Sequence, residues 1–280
     1  MSIAIVTDTT AYIPNNLLEK YDIHTIPLSV VFGEEAYRED KDITTEEFYE
    51  KVRTSKELPS TTQPPIGMFV ELFEKLAESY DAVISIHLSK QISGTFESAI
   101  AAGKMVEGIE VYAFNSTFSC MAQGFYAMVA SEMAQEGKSI DTILSHLHDM
   151  REKSDAYFIV DDLSHLQRGG RLTSAQAIVG SLLDIKPVLH MPGGQIKPFE
   201  KIRTRKKAIK RIMSMIDDEA AKNTIERVAF IHANNEESAL QLQKEFQQRH
   251  PNIESVISYF GPVIGTHLGE GALGATWYTK

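Results

Sequence analysis

The first half of the chain alternates short apolar runs with segments of helical spacing, and this pattern restricts the fold more than any other feature. Runs at residues 3–6, 82–88 and 111–114 each end in a loop rich in hydroxyl side chains, and a helical segment follows each loop. A helix between two strands carries the chain back to the edge where the first strand began, so the strands pair in parallel. We therefore predict an α/β domain in which helices flank a parallel sheet.

Two other stretches of this half also receive predictions. The run from Ile23 to Val31 reads as one further β-type segment. Residues 58–65 read as a loop, because prolines and hydroxyl side chains at this density suit neither a strand nor a helix. Within that loop, Thr61 and Thr62 suit a turn before proline.

The second half is organised differently. Residues 186–191 and 195–203 flank Pro192-Gly193-Gly194, a pattern typical of a β-hairpin and therefore of antiparallel pairing. Helices and strands then alternate at about 205–221, 227–233, 237–249 and 253–259. We predict two domains, an α/β domain at 1–155 and an α+β domain with a mainly antiparallel sheet at 156–280.

The charge of the chain argues against nucleic acid as a partner. Lys and Arg total 28 and Asp and Glu total 38, a formal net charge of −10, whereas nucleic-acid binding needs a dense cationic surface. No apolar run approaches the ~20 residues of a membrane-spanning helix, and residues 1–8 lack the basic start of a signal peptide. One cysteine, Cys120, suits a reducing compartment. These features predict a cytoplasmic protein without an integral membrane segment.

Hydroxyl-rich loops follow the predicted strands, at the edge where open parallel sheets bind their ligands. They lie at residues 7–10, at residues 115–117 and, most notably, at Ser93-Gly94-Thr95, which directly precedes a helix. Backbone N–H groups and hydroxyls at such a helix start can converge on an anion. Simple capping of the helix by Ser93 or Thr95 explains the same residues.

Glycines are concentrated near the C-terminus. Five of them lie within fourteen residues around His267, at Gly261, Gly265, Gly269, Gly271 and Gly274. Glycine permits positive φ and close approach of the backbone to a ligand, and histidine adds a donor whose charge changes near neutral pH. A ligand site and a glycine-rich crossover with a structurally bonded histidine both explain this pattern.

A pair of arginines flanks two glycines in the segment Arg168-Gly169-Gly170-Arg171. Two guanidinium groups in this arrangement can grip a carboxylate or a phosphate. They can equally pair with Asp161, Asp162 or Asp184.

A second basic cluster stands out against the acidic composition. The run at 201–207 contains Arg203, Arg205 and Lys207, and Lys210 and Arg211 follow it. A solvated helix face explains this run, and so does a docking patch for an acidic partner.

Common catalytic and metal motifs do not occur. The sequence has no G-x-S-x-G nucleophile elbow, no G-x-x-x-x-G-K-[ST] phosphate loop and no H-E-x-x-H zinc motif. Cys120 suits a small packed side chain better than a nucleophile. We therefore predict polar recognition of an anion, without a metal or a cofactor.

Seven short segments, spread from one end of the chain to the other, together match one known family. They are Val6-Thr7-Asp8-Thr9-Thr10, Ser60-Thr61-Thr62-Gln63-Pro64, Ile92-Ser93-Gly94-Thr95, Leu166-Gln167-Arg168-Gly169-Gly170-Arg171, Ile185-Lys186-Pro187, Lys201-Ile202-Arg203-Thr204 and Gly261-Pro262-Val263-Ile264-Gly265-Thr266-His267. No single segment is diagnostic, but their order and spacing are specific. In them the chain resembles the DegV family of bacterial fatty-acid-binding proteins, which act as the binding subunit of a two-component fatty acid kinase.

The resemblance implies a long-chain fatty acid held in a tunnel between the two domains. It implies that the carboxylate is bound by Thr61, Thr62, Ser93, Gly94 and His267. Supporting polar side chains are then expected from Asp8, Thr95, Ser116 and Arg171. The family often has Asp-Ser where this chain has Asn115-Ser116, and Ser–Thr variation occurs at Thr9 and Thr62, so these positions affect the predicted hydrogen bonds.

The resemblance also implies a protein partner. A separate kinase subunit would carry the ATP site and convert the bound carboxylate to an acyl-phosphate for phospholipid synthesis, so the chain itself would not be an enzyme. We predict that this subunit docks on Arg168, Arg203, Arg205 and Lys207.

One alternative comes from a different class of protein. A serine hydrolase or acyltransferase could use Ser93 as nucleophile and His267 as its base, although no acidic third member is identifiable in the sequence. A regulatory DNA-binding role is disfavoured by the acidic balance. The chain length and unsaturation of the preferred fatty acid, and the oligomeric state, do not follow from the sequence.

Overall fold

A computed structural model of the protein describes residues 2–55, 57–172 and 186–280. Asp184, a predicted alternative partner of the arginine pair, and Ile185 lie outside these residues. The strands are β1 (Ile3–Asp8), β2 (Ile23–Ile26), β3 (Ser29–Phe32), β4 (Glu35–Arg38), β5 (Ser60–Thr62), β6 (Ala82–His87), β7 (Glu110–Asn115), β8 (Ser154–Ile159), β9 (Val188–His190), β10 (Lys197–Glu200), β11 (Ile225–His232), β12 (Glu254–Tyr259) and β13 (Leu273–Thr279). The α-helices of the same residues are α1 (Asn15–Tyr21), α2 (Thr45–Thr54), α3 (Ile66–Ala77), α4 (Thr95–Gly103), α5 (Cys120–Gln135), α6 (Ile140–Glu152), α7 (Ser164–Arg168), α8 (Arg205–Ala220), α9 (Glu236–Arg249) and α10 (Pro262–Leu268).

The first domain is built on a four-stranded parallel sheet with the strand order β2-β1-β6-β7. Every residue of β6 is buried, because α3 and α4 pack on one side of this sheet and α5 on the other. A central parallel strand covered on both faces is mainly apolar, which is why this strand appears in the sequence as an apolar run, and its two polar side chains, Ser85 and His87, are buried and hydrogen-bonded. The predicted α/β organisation of this half is confirmed.

Two local predictions were wrong. The run from Ile23 to Val31 is not one strand, since it splits into β2 and β3, which belong to different sheets. Pro27 lies at the break and has no N–H to continue a ladder. In the predicted loop at 58–65, residues Ser60–Thr62 form β5, which pairs with β3 so that Thr61 lies opposite Val30. This pairing completes a three-stranded antiparallel sheet in the order β4-β3-β5 and fixes the position of Thr61.

The second domain contains a six-stranded sheet with the strand order β10-β9-β8-β13-β11-β12. Neighbouring strands of this sheet pair antiparallel, except for β11 and β12, which pair in parallel. The predicted hairpin of β9 and β10 is present. The mainly antiparallel α+β character of this half is therefore confirmed. The chain passes from the first sheet to the second just before β8, and the predicted division after residue 155 falls inside that strand.

The C-terminal segment returns to the first domain. Helix α10 packs against β3, β5 and α2, and a Cβ atom on Gly265 would lie 2.6 Å from the hydroxyl of Tyr49, so only glycine permits this close approach. The Tyr49 hydroxyl in turn donates to the carbonyl oxygen of Phe260 over 2.8 Å. This packing carries His267 from the second half of the sequence to the loop around Thr61.

Residues 269–274 have the spacing G-x-G-x-x-G, which in other proteins marks a dinucleotide site. Here the segment leads from α10 into β13, whereas the dinucleotide motif leads from a strand into a helix. Gly269 and Gly271 have φ values of +76° and +83°, so these glycines serve a tight helix-to-strand connection. Among the described residues, no helix is long and apolar enough to cross a membrane.

Candidate functional site

A cavity of about 260 Å³, partly open to the surface, lies between the two domains. The six-stranded sheet supplies one wall through residues 156–158 of β8 and 274–276 of β13, and Ile231 of β11 lies beside them. The opposite wall comes from the first domain and from α10. The apolar and small lining residues include Leu88, Ile92, Ala122, Ala156, Phe158, Ile231, Phe260, Ile264 and Gly274.

One end of the cavity is polar. Thr61, Ser93, Arg171 and His267 line it together, although β5, the loop before α4, the segment after α7 and α10 are far apart in the sequence. Thr62 and Gly94 line the same cavity. The structure thus brings together the five predicted carboxylate-binding residues and Arg171. Their individual roles remain predictions.

His267 is nearly buried, and its Nε2 atom lies 3.0 Å from the hydroxyl oxygen of Thr61. Burial, with Arg171 and His165 nearby, lowers the pKa of His267 to about 4, so the imidazole is neutral at pH 7. Its Nδ1 atom is buried, and no described residue forms a hydrogen bond with it. A proton on Nε2 leaves Nδ1 as a bare acceptor, which costs less than a buried N–H with no partner. In this tautomer His267 donates to Thr61, and the Thr61 hydroxyl is free to donate to a ligand.

Ser93 lies directly before α4, and its partners are local. Its hydroxyl oxygen lies 2.9 Å from that of Thr95 and 3.4 Å from the Thr95 amide nitrogen. When the fully buried Thr95 hydroxyl donates to Ser93, the Ser93 proton can point into the cavity. Thr95 therefore lies behind Ser93 rather than in the lining, in a position that supports it. The helix-capping residue itself is Gly94, which has no side chain to cap with.

Thr62 and Gly94 reach the cavity in different ways. The Thr62 hydroxyl donates to the carbonyl oxygen of Gln63 over 3.3 Å. The Gln63 side chain packs against Gly94, where an added Cβ atom would lie 2.3 Å from the amide oxygen. It also donates to the hydroxyl of Ser98 over 2.7 Å. Gln63 thereby ties the Thr61-Thr62 strand to the start of α4.

Arg171 is held by backbone oxygens. Its Nε atom donates to the carbonyl oxygen of Ile92 over 3.3 Å, and it also donates to the carbonyl oxygen of Gly169. In the part of the chain that the structure describes, no carboxylate forms an ion pair with Arg171 or Arg168. Asp161 pairs with Arg205 instead. Among the described residues, the Arg171 guanidinium thus has no carboxylate partner at the polar end, where such a group can bind an anionic ligand.

An outer cleft of about 320 Å³ adjoins the polar end. It shares Thr61, Arg171 and His267 with the cavity, and Arg168 and His165 also line it. These three shared residues form a partition between the apolar cavity and the outer cleft. A ligand head group bound at the partition therefore lies next to both the apolar cavity and the outer cleft.

Two predicted supporting residues lie elsewhere. Asp8 is fully buried and accepts hydrogen bonds from the amide of Leu88 over 3.1 Å and from His87 over 2.9 Å. It therefore joins the ends of two strands of the parallel sheet. The Ser116 hydroxyl bonds to the backbone of Phe118. Neither side chain lines the cavity, because each is committed to local structure.

The geometry does not favour a serine hydrolase at Ser93, since Ser93 bonds to Thr95 and His267 bonds to Thr61. A Ser–His–Asp arrangement does exist elsewhere. Ser85 lies 2.6 Å from His87, which lies 2.9 Å from the Asp8 carboxylate. All three side chains have zero exposure, so a substrate cannot reach them and the arrangement is structural.

The residues of the apolar cavity wall were not predicted from the sequence. Residues 156–158 of β8 and 274–276 of β13 line the cavity, and the paired residues Ala156, Phe158, Gly274 and Thr276 lie at alternate positions that share one face of the sheet. Alternation of this kind is present in the sequence, but it is the same in any strand that packs on a solid core. No sequence signal distinguishes a wall of a cavity from a wall of a core.

The fold and the site define a class of two-domain α/β protein that encloses an apolar cavity ending at hydroxyl, imidazole and guanidinium groups. The chain belongs to the DegV family, since a family model described as "Uncharacterised protein, DegV family" matches residues 2–280.

Three comparisons illustrate the relationship. Protein DegV of Bacillus subtilis (strain 168) is 57% identical over 281 residues, which is 100% of each chain. A crystal structure described as DegV, a fatty acid binding protein from Bacillus subtilis, has a TM-score of 0.95 at 56% identity and covers 100% of both chains. A structure described as fatty acid binding of a DegV family protein from Thermus thermophilus has a TM-score of 0.93 at 31% identity, again covering 100% of both chains.

Proposed function

We propose that this protein binds a long-chain fatty acid in its cavity and presents the carboxylate to a separate ATP-dependent kinase subunit, without being an enzyme itself. The observation that carries this proposal is the placement of Thr61, Ser93 and His267 at the polar end of a largely apolar cavity. The descriptions of related structures as fatty-acid-binding DegV proteins support it.

Most of the affinity comes from the tail. Transfer of a methylene group from water to an apolar site is worth ~0.8 kcal/mol, so a chain of fourteen methylenes offers roughly 11 kcal/mol before the costs of ordering. The lining of Phe158, Ile231 and Ile264 is suited to this contribution. The head group needs only to avoid the large penalty of a buried, unpaired carboxylate.

The head group is satisfied by neutral donors. The Thr61 and Ser93 hydroxyls can each donate to the carboxylate, and neutral His267 supports Thr61 from behind. Donors of this kind stabilise the carboxylate while leaving an oxygen able to attack the terminal phosphorus of ATP, which releases ADP and forms the acyl-phosphate. Arg171 lies at the partition with the outer cleft and can stabilise the negative charge of the phosphoryl group that enters there.

The first experiment is identification of bound lipid. Protein purified from a bacterial host is expected to carry a long-chain fatty acid in a near-stoichiometric amount, because the cavity excludes water from the tail. Extraction with organic solvent and mass spectrometry would measure it. Repeated recovery of no fatty acid, together with no binding of added palmitate or oleate, would overturn the proposal.

The proposed kinase-docking residues differ in their surroundings. Arg168, Arg203 and Lys207 are exposed, whereas Arg205 pairs with the Asp161 carboxylate over 2.9 Å and also donates to the carbonyl oxygen of Gly271. The Thr204 hydroxyl caps α8 by accepting from the Lys207 amide. Arg203 and Lys207 thus present exposed positive charges at the start of α8.

Charge reversal at these positions separates docking from lipid binding. Arg203→Glu and Lys207→Glu are expected to reduce phosphorylation of bound fatty acid about tenfold or more, since like charges oppose the encounter with an acidic partner. Fatty-acid affinity should be unchanged because neither side chain lines the cavity. Lys244→Glu, an exposed lysine on α9, is the matched control. If phosphorylation by the kinase subunit survives both reversals, the run is only a solvated helix face.

A further inference from the structure

A buried carboxylate connects the first domain to the helix that carries His267. Glu39 follows β4 and has zero exposure. It accepts hydrogen bonds from the Thr9 hydroxyl over 2.6 Å, the Tyr12 hydroxyl over 2.7 Å and the amide of Val263 over 2.7 Å. Three donors, two from residues 9–12 of the first domain and one from α10, therefore converge on one side chain.

Glu39 and Tyr12, which are distant from α10 in the sequence, together cap the start of this helix. The first N–H groups of a helix need partners from outside it, and the residue before α10 is Gly261, which has no side chain to supply one. Val263 donates to Glu39, and Ile264 donates to the Tyr12 hydroxyl over 3.1 Å. These bonds set the position of the first turn of α10.

The position of the first turn of α10 determines where His267 lies at the polar end of the cavity. His267 lies one turn after Val263, on the same face of a short helix. Val263 and Ile264 also line the cavity themselves. A displacement of the first turn therefore moves the bond between His267 and Thr61.

No basic side chain forms an ion pair with Glu39 in the described part of the chain. The titratable groups that face it are Tyr12, Asp40, Tyr49, Cys120 and Tyr259. Burial opposes ionisation and raises the pKa of Glu39 to about 7, in spite of its three donors. Glu39 is thus able to change its charge near neutral pH.

We infer that Glu39 is a positioning residue of the fatty-acid site, whose ionised form holds α10 and His267 in the geometry that binds the carboxylate. The inference rests on the proposed function, because it assigns a residue to that site. When Glu39 is protonated, it becomes a neutral acceptor, and its bonds from Thr9, Tyr12 and the Val263 amide lose the strength that the negative charge gave them. The anchor of α10 is complete above neutral pH and weakens as the pH falls through 7.

The test compares oleate binding at pH 6 and pH 8. The wild-type protein is expected to bind about fivefold more weakly at pH 6, beyond the change that the ligand and other groups cause. Glu39→Gln preserves the shape but cannot ionise, so it should bind weakly at both pH values and lose this extra change. Tyr126→Phe removes another hydrogen bond between the domains, the one from the buried Tyr126 side chain to the Ser154 hydroxyl over 3.1 Å. This side chain lies outside the cavity lining, so the variant should keep the wild-type pH dependence.

A second variant keeps the test informative if Glu39→Gln folds poorly. Tyr12→Phe removes one donor to the carboxylate and leaves Glu39 able to ionise. It should move the midpoint of the pH dependence upward, because the ionised form has lost a hydrogen bond. A midpoint unchanged in Tyr12→Phe, or wild-type pH dependence in Glu39→Gln, would overturn the inference.

Ligand-free protein separates this inference from the proposed function. NMR of the His267 ring should show different signals in Glu39→Gln and wild-type signals in Tyr126→Phe, whether or not the protein binds a fatty acid. Identical His267 signals in Glu39→Gln would contradict the role of Glu39. Failure of the wild-type protein to bind oleate at either pH would contradict the proposed function alone.

Discussion

Replacement of His267 by alanine is expected to weaken fatty-acid binding by roughly 10- to 100-fold. The imidazole lies 3.0 Å from the Thr61 hydroxyl, and without it that hydroxyl loses the partner that orients its proton toward the ligand. A hydrogen bond to a charged group is worth about 1.5–3 kcal/mol, which is about one to two orders of magnitude in affinity. Calorimetric titration with palmitate or oleate would measure the loss.

Three further variants define what His267 contributes. His267→Gln retains a side-chain donor and should recover part of the affinity. Thr61→Val keeps the shape of threonine without its hydroxyl, and its effect should not add to that of His267→Ala, because both remove the same hydrogen bond. His146→Ala, at an exposed histidine on α6, should bind as the wild type does. Unchanged affinity in both His267→Ala and Thr61→Val would show that the carboxylate lies elsewhere.

Replacement of Ala122 by phenylalanine is expected to abolish binding of long-chain fatty acids, with a loss of at least roughly 100-fold. Ala122 lies in the first turn of α5, is 3% exposed and lines the cavity. A phenyl ring at this position fills space that the tail needs, and each displaced methylene group costs ~0.8 kcal/mol of transfer free energy. The loss should be smaller for octanoate, whose tail is shorter.

A matched control distinguishes a blocked cavity from a damaged helix. Ala134→Phe introduces the same side chain on the same helix at a partly exposed position outside the lining. It should bind palmitate normally, and thermal melting should show that both variants are folded. Wild-type palmitate affinity in Ala122→Phe would mean that the acyl chain does not occupy this cavity.

The elements of regular structure were largely predictable. The parallel sheet of the first domain and the β9–β10 hairpin follow from local patterns, since apolar runs, helical spacing and the Pro-Gly-Gly turn act over a few residues. The strand β5 was not predictable. Ser60–Thr62 become extended because β3 offers them an edge to pair with, and that pairing connects residues about thirty positions apart.

The members of the candidate site were suggested by family resemblance, whereas their assembly required the fold. Thr61 and His267 are separated by 206 positions, and each alone suits a turn or a structural histidine. Glu39 carried no signal at all, because a single glutamate after a short strand reads as a surface residue. Its burial and its three donors arise from segments at Thr9, Tyr12 and Val263 that meet only after folding.

The sequence by itself therefore determined the class of each half, α/β before residue 155 and mainly antiparallel after it, because hydrophobic periodicity is a local property of the chain. The tertiary structure alone decided that the two halves enclose a cavity and that its polar groups collect at one end. A cavity is a property of surfaces that meet across long sequence separations, and apolar residues look the same in the sequence whether they face a ligand or each other.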